Sequence, residues 1–237
     1  MNSSNEKKLA IVIPVFNNFQ YTNNTLNSLS KLPSSHIIIL VDNNSTDNTK
    51  LLNSTDKIKI IRNNINLGFG KACNQGFILS KELGYENIMF LNNDIKIIDK
   101  ENCWTNDIIS ECKKGLIVGP TIGCLDNNFQ FICESSKFPS RGFWYMSGWC
   151  ISASANIWDK LIIQNEEGPF FTKFFAYFED TDLSFRAKIL GIHFLIINIP
   201  VKHIGRVTGK KLNLGDMYLK SRNIFIQLWS NRKSELA

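Results

Sequence analysis

Residues 87–94, NIMFLNND, begin as an apolar run and end in two asparagines and an aspartate. A short apolar run bounded by polar residues predicts a buried β-strand. Asn92, Asn93 and Asp94 therefore fall where the strand leaves the core. Asn and Asp favour turns, but open α/β sheets also bind ligands at the carboxyl ends of their strands. These three residues indicate either a turn or a site, and the choice depends on the other strands.

Strands and helices alternate through the first half of the chain. Short apolar runs predict strands over residues 8–15, 36–42, 57–63, 87–94 and 114–120. Leucines at helical spacing predict a helix over 21–32, and Gly84 can close another over 68–84. Ser45 or Thr46 can cap a third helix over 45–54. This alternation predicts an α/β fold with a parallel sheet and right-handed crossovers.

The pattern changes after Pro120. Short strands and loops rich in aromatic residues are predicted over 121–150, a helix over 178–191, a late strand over 192–198 and a terminal helix over 215–232. The sequence contains no repeat, linker or low-complexity segment. We therefore expect one domain over residues 1–237, with a first half at about 9–120 and a second half at about 121–230.

Composition indicates a soluble globular protein, with 43% hydrophobic and 20% charged residues. No apolar run approaches the roughly 20 residues that span a bilayer, and the N-terminus lacks the apolar region of a signal peptide. The six cysteines show no CxxC spacing, so we expect reduced thiols rather than a zinc site. These features predict a cytoplasmic protein.

The net charge of +6 is concentrated near the C-terminus. From Lys202 onward the chain has eight Lys and Arg against two Asp and Glu, while the remaining residues hold 19 of each sign. A nucleic-acid binder would be basic over a whole face, so we expect no nucleic-acid partner. The local excess suits a diphosphate, a lipid phosphate or a membrane surface. A solvated basic tail is the alternative.

The terminal helix has two apolar stripes. One stripe is expected to pack on the domain and contains Met217, Ser221, Ile224, Phe225 and Leu228. The other contains Leu219, Ile226 and Trp229, beside Lys220 and Arg222. Our hypothesis is that the second stripe makes peripheral contact with the inner face of the membrane. The alternative is that both stripes are buried.

Polar clusters follow four successive strands, at PVFNN (14–18), DNNSTDNT (42–49), NLGFGKACNQG (66–76) and FLNND (90–94), and FEDTDLSFRAKILG follows at 178–191. In this order and spacing they resemble the family 2 glycosyltransferases of the GT-A fold, over roughly residues 9–230. LNND and YLKSRN (218–223) are most similar to the rhamnosyltransferase-like branch. The resemblance implies a Rossmann-like, mostly parallel central sheet flanked by helices, with a nucleotide-sugar-binding first half and a smaller acceptor-side region.

The resemblance also implies an activity. It is the inverting transfer of a hexosyl group, rhamnosyl included, from a UDP- or dTDP-linked donor to a hydroxyl of a glycan or lipid-linked acceptor. An alternative is a catalytically degenerate nucleotide-sugar-binding protein, because Asn92 replaces the first acid of the family's DxD motif. A sugar nucleotidyltransferase is less favoured, since IPVFNNFQ (13–20) lacks a glycine-rich basic loop.

Seven residues are expected at the donor site, namely Pro14, Asp42, Asn66, Gly68, Lys71, Asn92 and Asn93. Asp42 is a carboxylate at a strand end, suited to a base imide N–H or a ribose hydroxyl, or else to capping a turn. The resemblance implies that Gly68 lets the backbone approach the nucleotide. Lys71 either lines the pocket or is an ordinary exposed helix lysine.

The resemblance implies a divalent cation, Mn²⁺ or Mg²⁺, held by Asp94 and the donor diphosphate. One carboxylate plus phosphate oxygens is sufficient for such a cation. His203 in VKHIGRVTGKK (201–211) is implied as a second ligand, although a lone histidine is often structural. The glycines and cations that follow it, including Arg206 and Lys210, suggest a loop that closes over the diphosphate.

The acidic FEDTD segment (178–182) is expected to supply the general base. Clustered carboxylates raise one another's pKa, which suits a base, and the resemblance assigns the role to Asp180. Glu179 and Asp182 share one helix face and are expected, with Trp149, around the acceptor and the sugar. Helix capping is the alternative for the segment, and burial in the core is the alternative for Trp149.

Overall fold

A computed structural model of the chain describes residues 8–98, 104–205 and 214–236. The strands and helices in chain order are β1 (Leu9–Val15), α1 (Phe19–Leu29), β2 (His36–Asp42), β3 (Ile58–Arg62), α2 (Phe69–Glu82), β4 (Asn87–Leu91), β5 (Ile95–Ile97), α3 (Trp104–Lys113), β6 (Ile117–Gly119), β7 (Ile122–Leu125), β8 (Phe131–Ser135), β9 (Phe143–Met146), β10 (Cys150–Ser154), α4 (Ala155–Lys160), α5 (Glu179–Ile189), β11 (Phe194–Ile196), β12 (Val201–His203) and α6 (Leu214–Trp229). Within these ranges, no helix combines the length and the apolar character that crossing a membrane requires.

Seven strands form the central sheet, in the order β11-β6-β10-β4-β1-β2-β3. Strand β10 runs antiparallel to both of its neighbours, and the other four pairs are parallel. The predicted α/β fold with a mostly parallel central sheet is confirmed. The carboxyl ends of β1, β2, β3 and β4 consequently lie along one edge, where the polar clusters follow.

Strand β1 lies in the middle of the core, because successive side chains of a strand point to opposite faces. Ala10 and Val12 pack in the cluster that includes Phe77 of α2. Ile11 and Ile13 pack on the other face, with residues of α1 and α3. Helices therefore cover both faces of the sheet, as parallel sheets require. The described cysteines form no disulfide with one another.

Two smaller sheets bring the second half of the chain to the edge of the central sheet. Strands β5 and β12 pair antiparallel and place His203 opposite Ile95. Where β4 ends, the backbone N–H of Asn92 donates to the carbonyl of Trp149, just before β10, at 2.8 Å. Strands β8, β7 and β9 form a separate antiparallel sheet. The end of β4 thus meets residues more than fifty positions away.

The helix expected over residues 45–54 is wrong. The segment forms only a 3-10 turn at Asn48–Leu51, and its N-cap is Asp47 rather than Ser45 or Thr46. The backbone N–H groups of Ser45 and Thr46 donate instead to the side chains of Asp42 and Asn17, each at 2.8 Å. These bonds tie the segment to the ends of β1 and β2, and the chain becomes extended at Leu52.

The two stripes expected on the terminal helix are also partly wrong. The fully buried residues of α6 are Ser221, Phe225 and Trp229, spaced four apart along one face. Trp229 was assigned to the membrane stripe but is only 1% exposed, whereas Leu228 was expected to pack and is 38% exposed. Trp229 is buried because it packs, together with Phe225, in an aromatic cluster with Phe129, Phe178 and Phe185.

Candidate active site

Asp94 and His203 meet at the carboxyl end of β4. The His203 Nε2 atom lies 3.1 Å from Asp94 Oδ1 and 3.2 Å from the amide nitrogen of Asn92. A backbone bond from the Ile204 N–H to the Asp94 carbonyl, at 2.9 Å, holds the two segments together. Asp94 is 6% exposed. The two predicted cation ligands are therefore neighbours, although they are 109 residues apart in the sequence.

Trp149 extends this cluster toward the second half of the chain. Its ring stacks on the His203 imidazole, with centroids 4.9 Å apart and planes 11° apart. The indole N–H donates to Glu134 Oε1 at 2.6 Å and to Thr121 Oγ1 at 3.1 Å. One ring face of Trp149 is thus occupied by His203, and sugar stacking on this residue stays a prediction.

The Asp94–His203 pair fits a divalent cation that takes most of its ligands from a diphosphate. A carboxylate oxygen suits Mg²⁺ and Mn²⁺, and an imidazole nitrogen is acceptable to Mn²⁺. Over the described ranges, no three metal-binding side chains converge on one point. The predicted diphosphate loop with Arg206 and Lys210 lies outside the described residues.

Asp180 lies in the first turn of α5, beside the residue that precedes Trp149. Its Oδ2 accepts from the Gly148 N–H at 2.9 Å, and its Oδ1 accepts from the Thr181 N–H at 2.8 Å. The side chain is half-buried. Burial raises its pKa to about 6, against the opposing effect of these hydrogen bonds. The result is a fixed carboxylate that is ionised at neutral pH and still able to accept a proton.

Glu179 is buried next to Asp180. Burial and the negative charge of Asp180 raise its pKa to about 8. Its Oε2 atom has no hydrogen-bond partner among the described residues. Glu179 is therefore mostly protonated at neutral pH and can donate a hydrogen bond.

Asp182 is bound inside the fold. Its Oδ2 accepts from Arg186 Nε at 2.8 Å, and its Oδ1 accepts from Trp229 Nε1 at 3.0 Å. Both oxygens thus have protein partners that connect α5 to α6. Its expected contact with the acceptor stays a prediction.

Asp42 ends β2 opposite Val15, the last residue of β1, and Pro14 lies one position earlier, opposite Val41. Asp42 Oδ2 contacts Arg62 NH1 at 2.6 Å, and its Oδ1 accepts from the Ser45 N–H at 2.8 Å. The turn-capping alternative is therefore realised, together with an ion pair. A nucleotide contact by Asp42 remains a prediction.

The segment before α2 is tied down by amides. Asn66 Oδ1 accepts from the Gly68 N–H at 3.0 Å, and the Asn43 side chain donates to the Gly68 carbonyl at 3.1 Å. Gly68 has φ 86°, and a Cβ there would clash with the carbonyl of Phe175. Glycine is therefore required at position 68 because the backbone of Phe175 approaches it closely. Lys71 is exposed on α2.

Asn93 points away from the Asp94–His203 pair. Its side chain donates to Thr22 Oγ1 at 2.9 Å, and its carbonyl accepts from Thr25 Oγ1 at 2.8 Å. Of the NND triplet, Asn92 and Asp94 therefore reach His203, and Asn93 anchors the strand end to α1.

The structure adds three residues around Trp149 and Asp180 that the sequence analysis did not single out. These are Thr121, Glu134 and Tyr145. Tyr145 lies four residues before Trp149, so proximity in sequence could have suggested it. Glu134 lies in an exposed edge strand, and no pattern in the sequence distinguishes it from a surface acid.

Residues 10–100 match the model of the family "Glycosyl transferase family 2". No curated protein matches the chain in sequence. Among solved structures, GalNAc-T7 with UDP, GalNAc and Mn²⁺ is similar at TM-score 0.67 and 14% identity, covering 92% of this chain and 47% of that one. TarS residues 1–349 of S. aureus with UDP-GlcNAc is similar at TM-score 0.57 and 18% identity, covering 90% and 64%.

A mannosyltransferase from Pyrobaculum calidifontis, PcManGT, in complex with GDP-Man and Mn²⁺, is similar at TM-score 0.55 and 12% identity, covering 80% of this chain and 54% of that one. This chain spans about half to two thirds of the length of these three structures. At such low identity the likeness concerns the fold. The family match over residues 10–100 supports the resemblance to the family 2 glycosyltransferases, and the likeness to these structures shows that the chain shares their GT-A fold.

Proposed function

We propose that the protein is an inverting, metal-dependent glycosyltransferase. It moves a hexosyl group, with rhamnosyl as one candidate, from a UDP- or dTDP-linked donor to a hydroxyl of a glycan or lipid-linked acceptor. The observation that carries the proposal is Asp180, a half-buried carboxylate with a pKa near 6. It is held by the backbone of Gly148, one residue from the Trp149 that stacks on His203.

The donor side of the proposal rests on Asp94 and His203. These residues would hold Mn²⁺ or Mg²⁺ together with diphosphate oxygens, and Arg206 and Lys210 would add positive charge. The cation would neutralise the charge that develops on the departing diphosphate. Two of the similar glycosyltransferases were solved with Mn²⁺, which supports the choice of a divalent metal.

The acceptor side rests on Asp180. The carboxylate takes the proton of the acceptor hydroxyl while that oxygen bonds to the anomeric carbon. The bond from this carbon to the diphosphate oxygen breaks in the same step, and the nucleoside diphosphate leaves. A single displacement inverts the anomeric configuration. The Gly148 and Thr181 N–H groups hold the carboxylate still, so little reorganisation accompanies proton transfer.

A thermal-shift screen tests the donor half directly. UDP, dTDP and GDP, and sugars linked to them, are added with and without Mn²⁺ to the full chain. We expect UDP or dTDP compounds to raise the Tm, and more so with Mn²⁺, because a ligand that binds only the folded state stabilises it. No shift with any nucleotide would contradict the proposal.

Asn92 supports a second candidate, a nucleotide-sugar-binding protein without transferase activity. Its amide replaces a carboxylate and contacts His203 instead of adding negative charge near the cation. This candidate predicts nucleotide-dependent thermal shifts in the screen but no hydrolysis or transfer of any donor sugar. Detection of released UDP with a functional donor separates the two candidates.

A further inference from the structure

The carboxylate of Glu134 lies next to Trp149, on the proposed acceptor side. Glu134 Oε1 accepts hydrogen bonds from Trp149 Nε1 at 2.6 Å and from Thr121 Oγ1 at 2.5 Å. Both contacts use the same oxygen, and Oε2 has no protein partner among the described residues. Glu134 is exposed on the edge strand β8. Its carboxylate is therefore held in place by one oxygen while the other is open to a ligand.

Glycine at position 123 places a hydroxyl beside this carboxylate. In the three-stranded sheet, Gly123 of β7 pairs with both Glu134 and Tyr145. A Cβ at 123 would clash with the ring and hydroxyl of Tyr145, so the phenol lies across the glycine. The missing side chain in the middle strand lets Tyr145 extend over the sheet toward the residues of the opposite strand.

The surroundings of Tyr145 connect Glu134 to the proposed base. Burial first, and then the negative charges of Asp180, Glu134 and Glu179, raise the pKa of the Tyr145 hydroxyl. Tyr145 is therefore a permanent neutral group among three acids. Glu179 contributes a buried oxygen without a partner at the same place. Tyr145 is thus within electrostatic reach of Glu134 on one side and of Asp180, the proposed base, on the other.

We propose that Glu134 and Tyr145 recognise the acceptor by binding hydroxyls of a neutral sugar residue. The inference rests on the proposed function and deepens it by naming the acceptor class. A carboxylate accepts hydrogen bonds from sugar hydroxyls, and a phenol can both donate and accept. A phosphate or carboxylate at this position would be repelled by Glu134 and Asp180. The acceptor end that meets the base is accordingly an uncharged sugar rather than a polyol phosphate.

Saturation-transfer NMR on the full chain tests this directly. The probes are octyl glycosides of glucose, galactose, rhamnose and N-acetylglucosamine, with ribitol 5-phosphate as the charged comparison, all in the presence of UDP and Mg²⁺. We expect contacts to the sugar ring protons of at least one glycoside and weaker binding of ribitol 5-phosphate. Failure of every glycoside to bind, or tighter binding of ribitol 5-phosphate than of any glycoside, would overturn the inference.

Substitutions then test whether Glu134 is a residue that binds the glycoside. Glu134→Gln keeps the size of the side chain and is expected to weaken glycoside binding about tenfold, the loss of one charge-assisted hydrogen bond. Glu82→Gln, an exposed acid at the far end of α2, is the matched control and should change nothing. Thr121→Val, which removes one partner of Glu134 Oε1, should have a smaller effect in the same direction.

The same variants separate recognition from mere support of Trp149. UDP binding with Mg²⁺ is measured on each by thermal shift, and we expect Glu134→Gln to leave it unchanged. An equal loss of UDP and glycoside binding would mean that Glu134 only holds Trp149 against His203, which overturns the inference. A wild-type chain that binds glycosides but no nucleotide would contradict the proposed function instead, so the two failures are distinguishable.

Discussion

The proposed nucleotide side and the proposed acceptor side of the candidate active site use their polar groups differently. On the nucleotide side, Asp42, Asn43 and Asn93 are buried and hydrogen-bonded to the protein itself. On the acceptor side, Asp180 and Glu179 have raised pKa values. Glu179 Oε2 has no partner among the described residues. The first region is a completed network, and the second retains groups that can still exchange protons.

This difference suggests that the first region provides a rigid framework and that the second provides the groups for proton transfer. A satisfied buried network fixes one geometry, which suits the binding of a donor in a preformed pocket. Carboxylates with raised pKa values are typical of catalytic groups, and they are held here by backbone N–H groups rather than by cations. Substitutions on the two sides should consequently change different measurements, stability on the first and turnover on the second.

Asp180→Asn gives the largest expected effect. The amide keeps the shape and can still accept from Gly148, but it cannot take a proton. Transfer should fall by about 10²–10⁴-fold, the usual value of a general base, while UDP affinity stays unchanged. The Tm should change only by the loss of one hydrogen bond, the one from the Thr181 N–H. The measurement is donor turnover with a glycoside acceptor. In the wild type, the rate should rise with pH through about 6 as Asp180 ionises.

Asp182→Asn is the matched control for this variant. It weakens the bond to Arg186 at a site where the carboxylate side chain is 3% exposed. We expect a loss of stability of about 1–3 kcal/mol with turnover per folded molecule retained. Lost turnover at unchanged stability would instead support the expected acceptor contact of Asp182.

Asp94→Asn should remove the metal dependence of donor binding. The amide can still contact His203, so the fold is expected to persist. Affinity for Mn²⁺ with UDP should fall by more than about a hundredfold, since even partners beyond the first ligands are worth about 10–100-fold. Calorimetry with UDP and Mn²⁺ measures it, with the exposed Asp56→Asn as control. Unchanged affinity would remove Asp94 from the cation site.

Glu179→Gln tests the protonated acid by its pH signature. The pKa of Glu179 rises from 4.5 to about 8 in the folded protein. The stabilisation from its neutral form is therefore complete below pH 4.5 and is lost as pH rises through 8. Glutamine imitates the neutral acid. The variant should match wild type in acid and exceed its Tm on the order of 5 °C at about pH 9.

A wild-type Tm that stays parallel to that of Glu179→Gln between acidic and alkaline pH would contradict a buried, protonated Glu179. Thermal unfolding over this pH range is the measurement, and Glu82→Gln at the surface serves as control. Its curve should follow wild type throughout, because an exposed carboxyl gains no stability from a neutral form.

Substitutions of Asp42 and Arg62 test the hydrogen-bonded network on the proposed nucleotide side. Asp42→Ala leaves the buried Ser45 N–H without its acceptor and should cost about 1–3 kcal/mol. Arg62→Met removes a partner whose side chain is 39% exposed and should cost at most about 1 kcal/mol. Urea unfolding measures both. If Asp42 also binds the nucleotide, only Asp42→Ala will weaken UDP binding; equal effects of the two variants on UDP would argue against that contact.

The sequence predicted the parallel sheet because its apolar runs are short, β-branched and separated by helical spacing. It also predicted that Asp94 and His203 meet, as they do, whereas the roles of Asp94 and Asp180 stay predictions. It could not place the cap at Asp47, because Ser45 and Thr46 are also capping residues and the bonds from their N–H groups to Asp42 and Asn17 form only in the folded chain. A role for Glu134 could not be predicted from the sequence for the same reason. Its meaning comes from Trp149, which meets it only in the folded chain.

Electrostatic binding of the basic tail to a membrane gives the smallest expected effect, because some cations of the tail have partners within the protein. Arg232 pairs with Glu235, and Lys233 donates to the Asn127 carbonyl at 2.6 Å. Leu219 remains exposed at 57% beside the exposed Lys220. Each basic group near an anionic leaflet adds about 1 kcal/mol, so we expect roughly tenfold tighter binding to anionic than to neutral liposomes at low salt. Co-sedimentation measures it: Lys220→Gln should reduce the preference and Lys160→Gln, on α4, should not, whereas equal binding to both kinds of liposome would rule out electrostatic docking.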